Sequence, residues 1–434
     1  CVVEVKGEKV LTASCIRKPI DGMEVFTNNP KVEKSQKLVL ELLLTDQPKI
    51  KQKTYQEDHF WNTLNINQIT SSRFTPKNSD TVPKTDNSHP AMTVALDACI
   101  QCGLCIRACR DVQVNDVLGM SGRGANSYPV FDTNALMGES SCVGCGECVQ
   151  ACPTGALIET SLVNDDNNQT VYPDKKIKSL CPFCGVGCQT LVSVKDNSIM
   201  AVDGYEGPAN ENRLCIKGRF GYDYISSPVR LKEPLIRITQ KTKSWDLSID
   251  EKNIYKYFRK ASWEEALNQA SHNFSKILKN NENALAGFGS AKGSNEEAYI
   301  FQKLIRTGFQ TNNVDHCTRL CHASSVAALL QSVGSAAVTA PFTAVKDTEC
   351  IILIGARPEQ NHPVAASYLK QAVKNGSKLI IMDPRKQNLS RYATHHLQFN
   401  PGQDLALLNA MIHVIIKENL INKDYIKNHT EGFH

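Results

Sequence analysis

The stretch CIQCGLCIRAC, residues 99–109, decides the architecture of the first half of the chain, because CVGCGECVQAC, residues 142–152, repeats its spacing. Each stretch has the pattern CxxCxxCxxxC, and Pro153 follows the second. Three closely spaced cysteines on one loop supply three thiolates to a 4Fe-4S cluster, and in two-cluster domains the fourth comes from the other stretch. The repeat therefore predicts two 4Fe-4S clusters, with structural zinc as the competing interpretation.

We call this exchange of the fourth cysteine between the two stretches the crossed rule. It divides the eight cysteines into two ligand sets. The first ferredoxin set is Cys99, Cys102, Cys105 and Cys152, and the second ferredoxin set is Cys109, Cys142, Cys145 and Cys148. A third set, Cys181, Cys184 and Cys188 with Cys215, has the form of a single 4Fe-4S site, for which zinc is a closer competitor. Cys1 and Cys15 remain as a pair that would need two further ligands from before residue 1.

Composition limits the class of protein. The 434 residues are 41% hydrophobic and 21% charged with a net charge of +5, which predicts two to four globular domains and does not favour nucleic acid or a membrane surface as partner. Seventeen cysteines in so long a chain argue against a disulfide scaffold, because disulfide density belongs to small secreted domains. The sequence has no apolar stretch long enough to span a membrane. Both ends look cut, so a targeting signal would not be visible.

Changes in composition and hydrophobic pattern along the chain predict five regions. Residues 1–47 form a small α+β unit, with a strand pair about Gly7 and a helix, and residues 48–90 form a polar linker region. Residues 91–165 are the two-cluster domain, and residues 178–230 are a small third-cluster domain. Residues 231–434 alternate apolar strands (ALAGFG, CIILIG, KLIIMD) with helices, which is typical of a doubly wound parallel sheet with ligand-binding loops at its strand ends.

Three cysteines in this last region belong to none of the sets. Cys317 and Cys321 stand four apart in NVDHCTRLCHASS, at the start of a predicted helix, and spacing alone does not separate a functional thiol from a structural one. His322 follows Cys321 directly. Cys350 opens the strand CIILI and is predicted to be a small buried hydrophobic residue.

Several motifs in order carry a resemblance to a family. The stretches CPFCGVGC, CIKGRFG, GSAKGSNEEAY, NNVDHCTRLCHASS, GARPEQNHPV and MDPRKQNLSRYATHHLQFNPGQD resemble the catalytic subunit of molybdenum- or tungsten-dependent formate dehydrogenases. The N-terminal half resembles the electron-transfer extension of the NAD-coupled, cytoplasmic members, which shares its outline with the large iron–sulfur subunit of respiratory NADH dehydrogenase.

The resemblance implies roles for particular residues. Cys321 would ligate the metal of a bis-molybdopterin guanine dinucleotide cofactor with His322 against it, Cys317 would pack the helix, and Lys217 would lie between the third cluster and one pterin. Cys1 and Cys15 would hold part of a 2Fe-2S cluster. The residues implied in binding the dinucleotide are Gly289, Ser290, Asn295, Glu296, Asp383, Pro384, Arg385, Gly402, Gln403 and Asp404.

The implied activity is oxidation of formate to carbon dioxide, with electrons passing through the third and ferredoxin clusters to the 2Fe-2S site. A partner subunit with FMN would then reduce NAD, in the cytoplasm. LLLTDQPKIKQK contains no cysteine, so the family's additional His-plus-three-Cys cluster is expected to be absent, and the active-site arginine and second dinucleotide-binding region would lie beyond His434. Three alternatives remain: a non-catalytic NADH dehydrogenase subunit, another enzyme of the superfamily such as nitrate reductase, and a zinc-binding interaction protein. Molybdenum against tungsten, and the physiological direction, stay open.

Overall fold

The computed structural model describes residues 2–48, 59–75, 83–164, 171–238, 248–281 and 283–433. At the N-terminus, β1 (Val2–Val5) lies between β2 (Thr12–Ala13) and β3 (Val25–Phe26) in an antiparallel sheet, and α1 (Pro30–Leu44) follows. The strand pair predicted about Gly7 is therefore present, and Gly7 itself has a φ of +86°, which favours glycine at the turn.

The range predicted as a linker contains a folded helix. α2 (His59–Ile66) buries Phe60 and Leu64, which stand four residues apart on one helical face. The amide of Phe60 donates to the main-chain oxygen of Pro153 at 3.2 Å, so the helix contacts the two-cluster domain. The linker prediction is therefore wrong for this helix. Its two buried apolar side chains pack it onto the folded part of the chain, although the surrounding sequence is polar.

The two-cluster domain consists of two small sheets and two short helices. Its elements are β4 (Asp86–His89), β5 (Met92–Val94), α3 (Leu104–Arg107), β6 (Leu118–Ser121), β7 (Tyr128–Phe131), α4 (Glu147–Gln150) and β8 (Leu157–Glu159). The strand orders are β4-β5-β8 and β6-β7, all antiparallel. Gly103 and Gly146 occupy equivalent places before α3 and α4 with φ of +69° and +70°, so the sequence repeat is also a repeat of backbone conformation.

The third-cluster domain is a three-stranded antiparallel sheet followed by a short helix. Its elements are β9 (Lys175–Leu180), β10 (Gln189–Lys195), β11 (Ser198–Gly204) and α5 (Ile216–Phe220). Ala201 packs with Ile158 and Leu162 of the preceding domain in one buried cluster. The two iron–sulfur domains therefore share a core.

The C-terminal region has mixed α/β structure. Its strands are β12 (Leu235–Arg237), β13 (Phe258–Lys260), β14 (Gly287–Gly289), β15 (Val314–His316), β16 (Cys350–Ile354), β17 (Lys378–Met382) and β18 (His395–Leu397). Its helices are α6 (Trp263–Asn280), α7 (Asn295–Lys303), α8 (Thr318–Val333), α9 (Pro358–Asn361), α10 (Pro363–Lys374), α11 (Asp404–Lys417) and α12 (Lys423–His429). The pairings β14-β15 and β16-β17-β18 are parallel, as expected of an α/β domain, but in the described residues they form two separate sheets.

Helix α10 joins this region to the third-cluster domain. Val364 and Tyr368 pack in one cluster with Cys181 and Cys188, whereas Leu369 and Ala372 pack against the sheet of β16 and β17. The helix is thus buried on two sides.

Cys350 differs from its prediction. It is exposed, because β16 is an edge strand and Cys350 is its first residue, with only alternate side chains turned towards α10. In the part of the chain that the structure describes, none of the helices is both long and apolar enough to span a membrane.

Candidate electron-transfer and active sites

The structure brings the four thiols of the first ferredoxin set together. Cys99, Cys102, Cys105 and Cys152 line one small cavity. Burial, and after it the neighbouring thiols of this set, raise the pKa of Cys105 to about 12. The amides of Gln101 and Leu157 donate to the sulfurs of Cys99 and Cys152 at 3.4 and 3.5 Å. Convergent sulfurs that accept N–H donors fit an iron–sulfur cluster, whose potential such hydrogen bonds tune.

The second ferredoxin set repeats this arrangement around Cys148. Burial raises the pKa of Cys148 well above its ordinary value, and the largest further contributions come from Cys145 and Cys142 of the set, then from Cys105 of the other set and Cys109. Gly144 donates its N–H to Cys142 at 3.4 Å, as Gln101 does to Cys99 in the other repeat. Cys109 is thus near the later repeat and Cys152 near the earlier one, as the crossed rule requires of ligands.

The third set converges at the end of the β9–β10 hairpin. The pKa of Cys188 is raised to about 12. Burial is the largest cause, and the nearby thiols of Cys181, Cys184 and Cys215 act in the same direction. Cys181 donates its amide to the oxygen of Cys188 at 2.9 Å, which closes the loop between them. In the described residues, groups of three or more His, Cys, Asp or Glu side chains arranged to hold one metal ion are not found.

A cavity of about 260 Å³ lies between the second and third sets. Cys145 and Cys215 both line it, together with Lys217, Lys370 and Arg391. Lys217 is exposed on α5, two residues after Cys215 of the third set, and its predicted place between that set and a pterin stays a prediction.

Cys321 and His322 lie on α8 where that helix is broken. His322 has φ −150° and ψ 28°, which is not helical, and both side chains are exposed. Cys317 does not pack a helix face as predicted. It stands exposed before α8, where its sulfur accepts the amide N–H of Ala291 at 3.3 Å and so connects α8 to the loop after β14.

This loop borders the largest of the cavities described, of about 630 Å³. Gly289 and Ser290 line it, together with basic Lys292, Arg306 and His316, which sequence reasoning missed. A glycine loop with basic side chains fits the phosphates of a dinucleotide. Asn295 and Glu296 are exposed on the first turn of α7, and they are not in the lining of the cavity.

The remaining predicted dinucleotide residues lie after β17 and before α11. Asp383 is buried and accepts the amide of Arg385 at 2.8 Å, with Pro384 between them. Gly402, Gln403 and Asp404 are exposed at the start of α11. Of the N-terminal pair, Cys15 is exposed, and Cys1 lies outside the described residues.

Three family descriptions match consecutive parts of the chain. Residues 86–156 match the 4Fe-4S dicluster domain, residues 174–227 match the molybdopterin oxidoreductase Fe4S4 domain, and residues 230–433 match molybdopterin oxidoreductase. These ranges contain all twelve cysteines of the three sets.

Curated relatives are similar to the chain over part or all of its length. The F420-dependent formate dehydrogenase 1 subunit alpha of Methanococcus maripaludis is 38% identical over 258 residues, 59% of this chain and 36% of the relative. Formate dehydrogenase H of Escherichia coli is 37% identical over 265 residues, 60% of this chain and 35% of the relative. The probable oxidoreductase YjgC of Bacillus subtilis is 29% identical and covers 100% of this chain and 46% of its own length. The chain thus spans less than half the length of these relatives.

Proposed function

We propose that this chain, which belongs to the molybdopterin oxidoreductase family, is part of a formate dehydrogenase catalytic subunit that oxidises formate to carbon dioxide. The observation that carries the proposal is the exposed Cys321–His322 pair at the break in α8, the helix whose start is joined through Cys317 to the loop that lines the large cavity. The relatives named formate dehydrogenase support the choice of substrate.

In this proposal the chain's own residues position the cofactor and handle protons. Cys321 would hold the molybdenum or tungsten, because a thiolate is a soft ligand and metal binding keeps it deprotonated. His322 would hold or release a proton at its imidazole. When bound, the bis-molybdopterin guanine dinucleotide centre supplies a two-electron acceptor. Lys217 would lie between this centre and the third set, and the residues predicted at 289–290, 295–296, 383–385 and 402–404 would hold the dinucleotide.

The order of the three sets fits electron transfer towards the N-terminal domain. The third set shares a cavity with Cys145 of the second ferredoxin set, and Cys105 of the first set is among the thiols that raise the pKa of Cys148 in the second. We propose three 4Fe-4S clusters on these sets and a 2Fe-2S cluster that includes Cys1 and Cys15. A flavin-containing partner subunit in the cytoplasm would then reduce NAD. Three relatives carry the name F420-dependent, so NAD and F420 are to be assayed separately as electron acceptors.

The test uses the full-length protein and formate-dependent dye reduction, with molybdenum and tungsten analysis on the same sample. Cys321→Ala should lower turnover by orders of magnitude while dithionite still reduces the clusters, because the cluster ligands are unchanged. His322→Ala should mainly lower kcat. The matched control is Cys317→Ser, which keeps an acceptor for the amide of Ala291 and should leave turnover within a few fold.

Two outcomes would contradict the proposal. Loss of activity in Cys317→Ser with activity kept in Cys321→Ala would mean that the metal ligand lies one helical turn earlier. A full-length protein without molybdenum or tungsten would favour the non-catalytic electron-transfer subunit, and nitrate reduction without formate oxidation would favour the nitrate reductase alternative.

A further inference from the structure

Helix α10 of the α/β region contacts the turn that follows Cys109. The side-chain amide of Gln371 donates to the main-chain oxygens of Asp111 and Val112 at 2.6 and 3.2 Å. Lys374 donates to the oxygen of Arg110 at 3.2 Å, one helical turn beyond Lys370. One face of α10 is therefore fitted to the segment that carries a ligand of the second ferredoxin set.

Lys370 lies on this face and is the only buried lysine of the described ranges, with 9% of its surface exposed. Its ammonium donates to the side-chain oxygen of Asn115 at 2.8 Å, and the Asn115 amide nitrogen lies 4.0 Å from the sulfur of Cys145. The neutral amide leaves the positive charge of Lys370 uncompensated and turns its own N–H groups towards the thiolate.

The electrostatic environment of Lys370 includes the cluster ligands. Burial, and after it Arg391, lower the pKa of Lys370 to about 8, while Cys145, Cys109 and Asp116 act in the opposite direction. Lys370 and Cys145 also line the same 260 Å³ cavity. The amine is thus within electrostatic reach of two ligands of one set.

Other cations near the three sets are exposed or neutralised. Arg107 acts on Cys102 and Lys292 acts on Cys181, and both side chains are exposed. Arg219 is buried beside Cys145, but Asp203 and Glu147 pair with it at 3.0 and 3.8 Å. Lys370 therefore distinguishes the second ferredoxin set from the first and the third.

We propose that Lys370 is a positioning residue that raises the reduction potential of the cluster on the second ferredoxin set. The inference rests on the proposed function, because it requires that this set holds a 4Fe-4S cluster. A reduced cluster carries one more negative charge than an oxidised one, so a fixed positive charge in a low-dielectric site stabilises the reduced state. The α/β region thereby favours arrival of the electron at the cluster nearest the third set.

The experiment is an EPR-monitored redox titration of the whole chain after anaerobic reconstitution, with iron content measured on the same samples. The component of the EPR signal that Cys145→Ala removes is assigned to the second ferredoxin cluster. Lys370→Met and Lys370→Gln should each lower the midpoint potential of this component by at least about 59 mV. For a one-electron reduction this is a tenfold change in the equilibrium constant. The other two components should not move.

Two further variants separate charge from structure. Lys370→Arg keeps the positive charge and should restore most of the potential. Lys374→Met, on the same helix, removes an exposed lysine beside Asp111 and should leave all three potentials unchanged.

Three outcomes would overturn the inference. One is an unchanged potential in Lys370→Met and Lys370→Gln when the iron content is complete. Another is loss of the second cluster's iron in both variants, which would make Lys370 a structural residue only. The third is an equal shift of all three components. Absence of iron from the unaltered chain would instead overturn the proposed function, so the two failures are distinguishable.

Discussion

The guanidinium of Arg219 is fully buried and donates its Nε–H to the main-chain oxygen of Cys145 at 2.9 Å. Arg219 belongs to α5 of the third-cluster domain, and Cys145 belongs to the two-cluster domain. The same side chain donates to Gln150 at 2.7 Å and to Asp203 at 3.0 Å. One arginine therefore fixes the loop of one set against the helix that directly follows Cys215 of the next.

Arg219→Met should strongly destabilise the contact between these domains. The change leaves Asp203 and Glu147 without their positive partner, and breaking a buried charge pair typically costs about 3–5 kcal/mol. Chemical denaturation of the iron-loaded chain measures this loss, and Arg110→Met serves as the control, since its pair with Asp111 is exposed. Similar stabilities for the two variants would show that the Arg219 contacts contribute little.

Gly146→Ala should cost more stability than Gly103→Ala, although the two glycines occupy equivalent positions of the repeat. Both have positive φ, which costs a residue with a side chain about 1–2 kcal/mol. A Cβ at Gly146 would lie 2.2 Å from the Cδ of Arg219, whereas a Cβ at Gly103 would meet nothing within 4 Å. The additional cost at Gly146 should be about 1–3 kcal/mol. Thermal or chemical unfolding of the two variants measures the difference, and equal losses would contradict it.

Glu159→Gln should stabilise the protein at alkaline pH. Burial raises the pKa of Glu159 to about 8 from its ordinary 4.5, and Asp203 adds to this effect whereas Arg219 opposes it. The folded state then binds a proton that the unfolded state releases, so this contribution to stability is complete below pH 4.5 and is lost as pH rises through 8. The variant should lack this slope and be more stable than the unaltered chain above pH 8, because the buried Glu159 carboxylate is then ionised whereas the Gln amide is neutral.

Unfolding free energies at pH 5.5 and 8.5 test this prediction, with the iron content matched between samples. Glu139→Gln in the same domain is the control, because Glu139 is exposed. A pH slope that persists unchanged in Glu159→Gln would assign the slope to another group.

Double variants test the crossed assignment of the ferredoxin cysteines. The unaltered chain should bind about twelve iron atoms, four for each of three clusters. Cys105→Ala combined with Cys152→Ala should leave about eight, because both residues would belong to the first set. Cys105→Ala combined with Cys109→Ala should leave about four, since two clusters are then damaged. Iron analysis after reconstitution separates the cases, and the opposite pattern would support uncrossed sets.

The sequence alone determined the features that depend on local spacing. The pattern CxxCxxCxxxC places three thiols on one loop, and the glycines after Cys102 and Cys145 allow the positive φ that each loop needs. The strands CIILI and KLIIM and the helix from Pro363 to Lys374 also follow from short-range apolar patterns. These properties are set by residues a few positions apart, so a single sequence contains them.

Only the tertiary structure decided which distant side chains meet and which are buried. Lys370 and Asn115 are 255 residues apart, and Arg219 and Cys145 are 74 apart, so periodicity does not link either pair. The same reason explains two wrong predictions, because Cys350 is exposed by the edge position of its strand and Phe60 is buried by contact with a later domain. Burial of a charge depends on long-range packing, and here that packing surrounds the cysteine sets with charges that their spacing does not reveal.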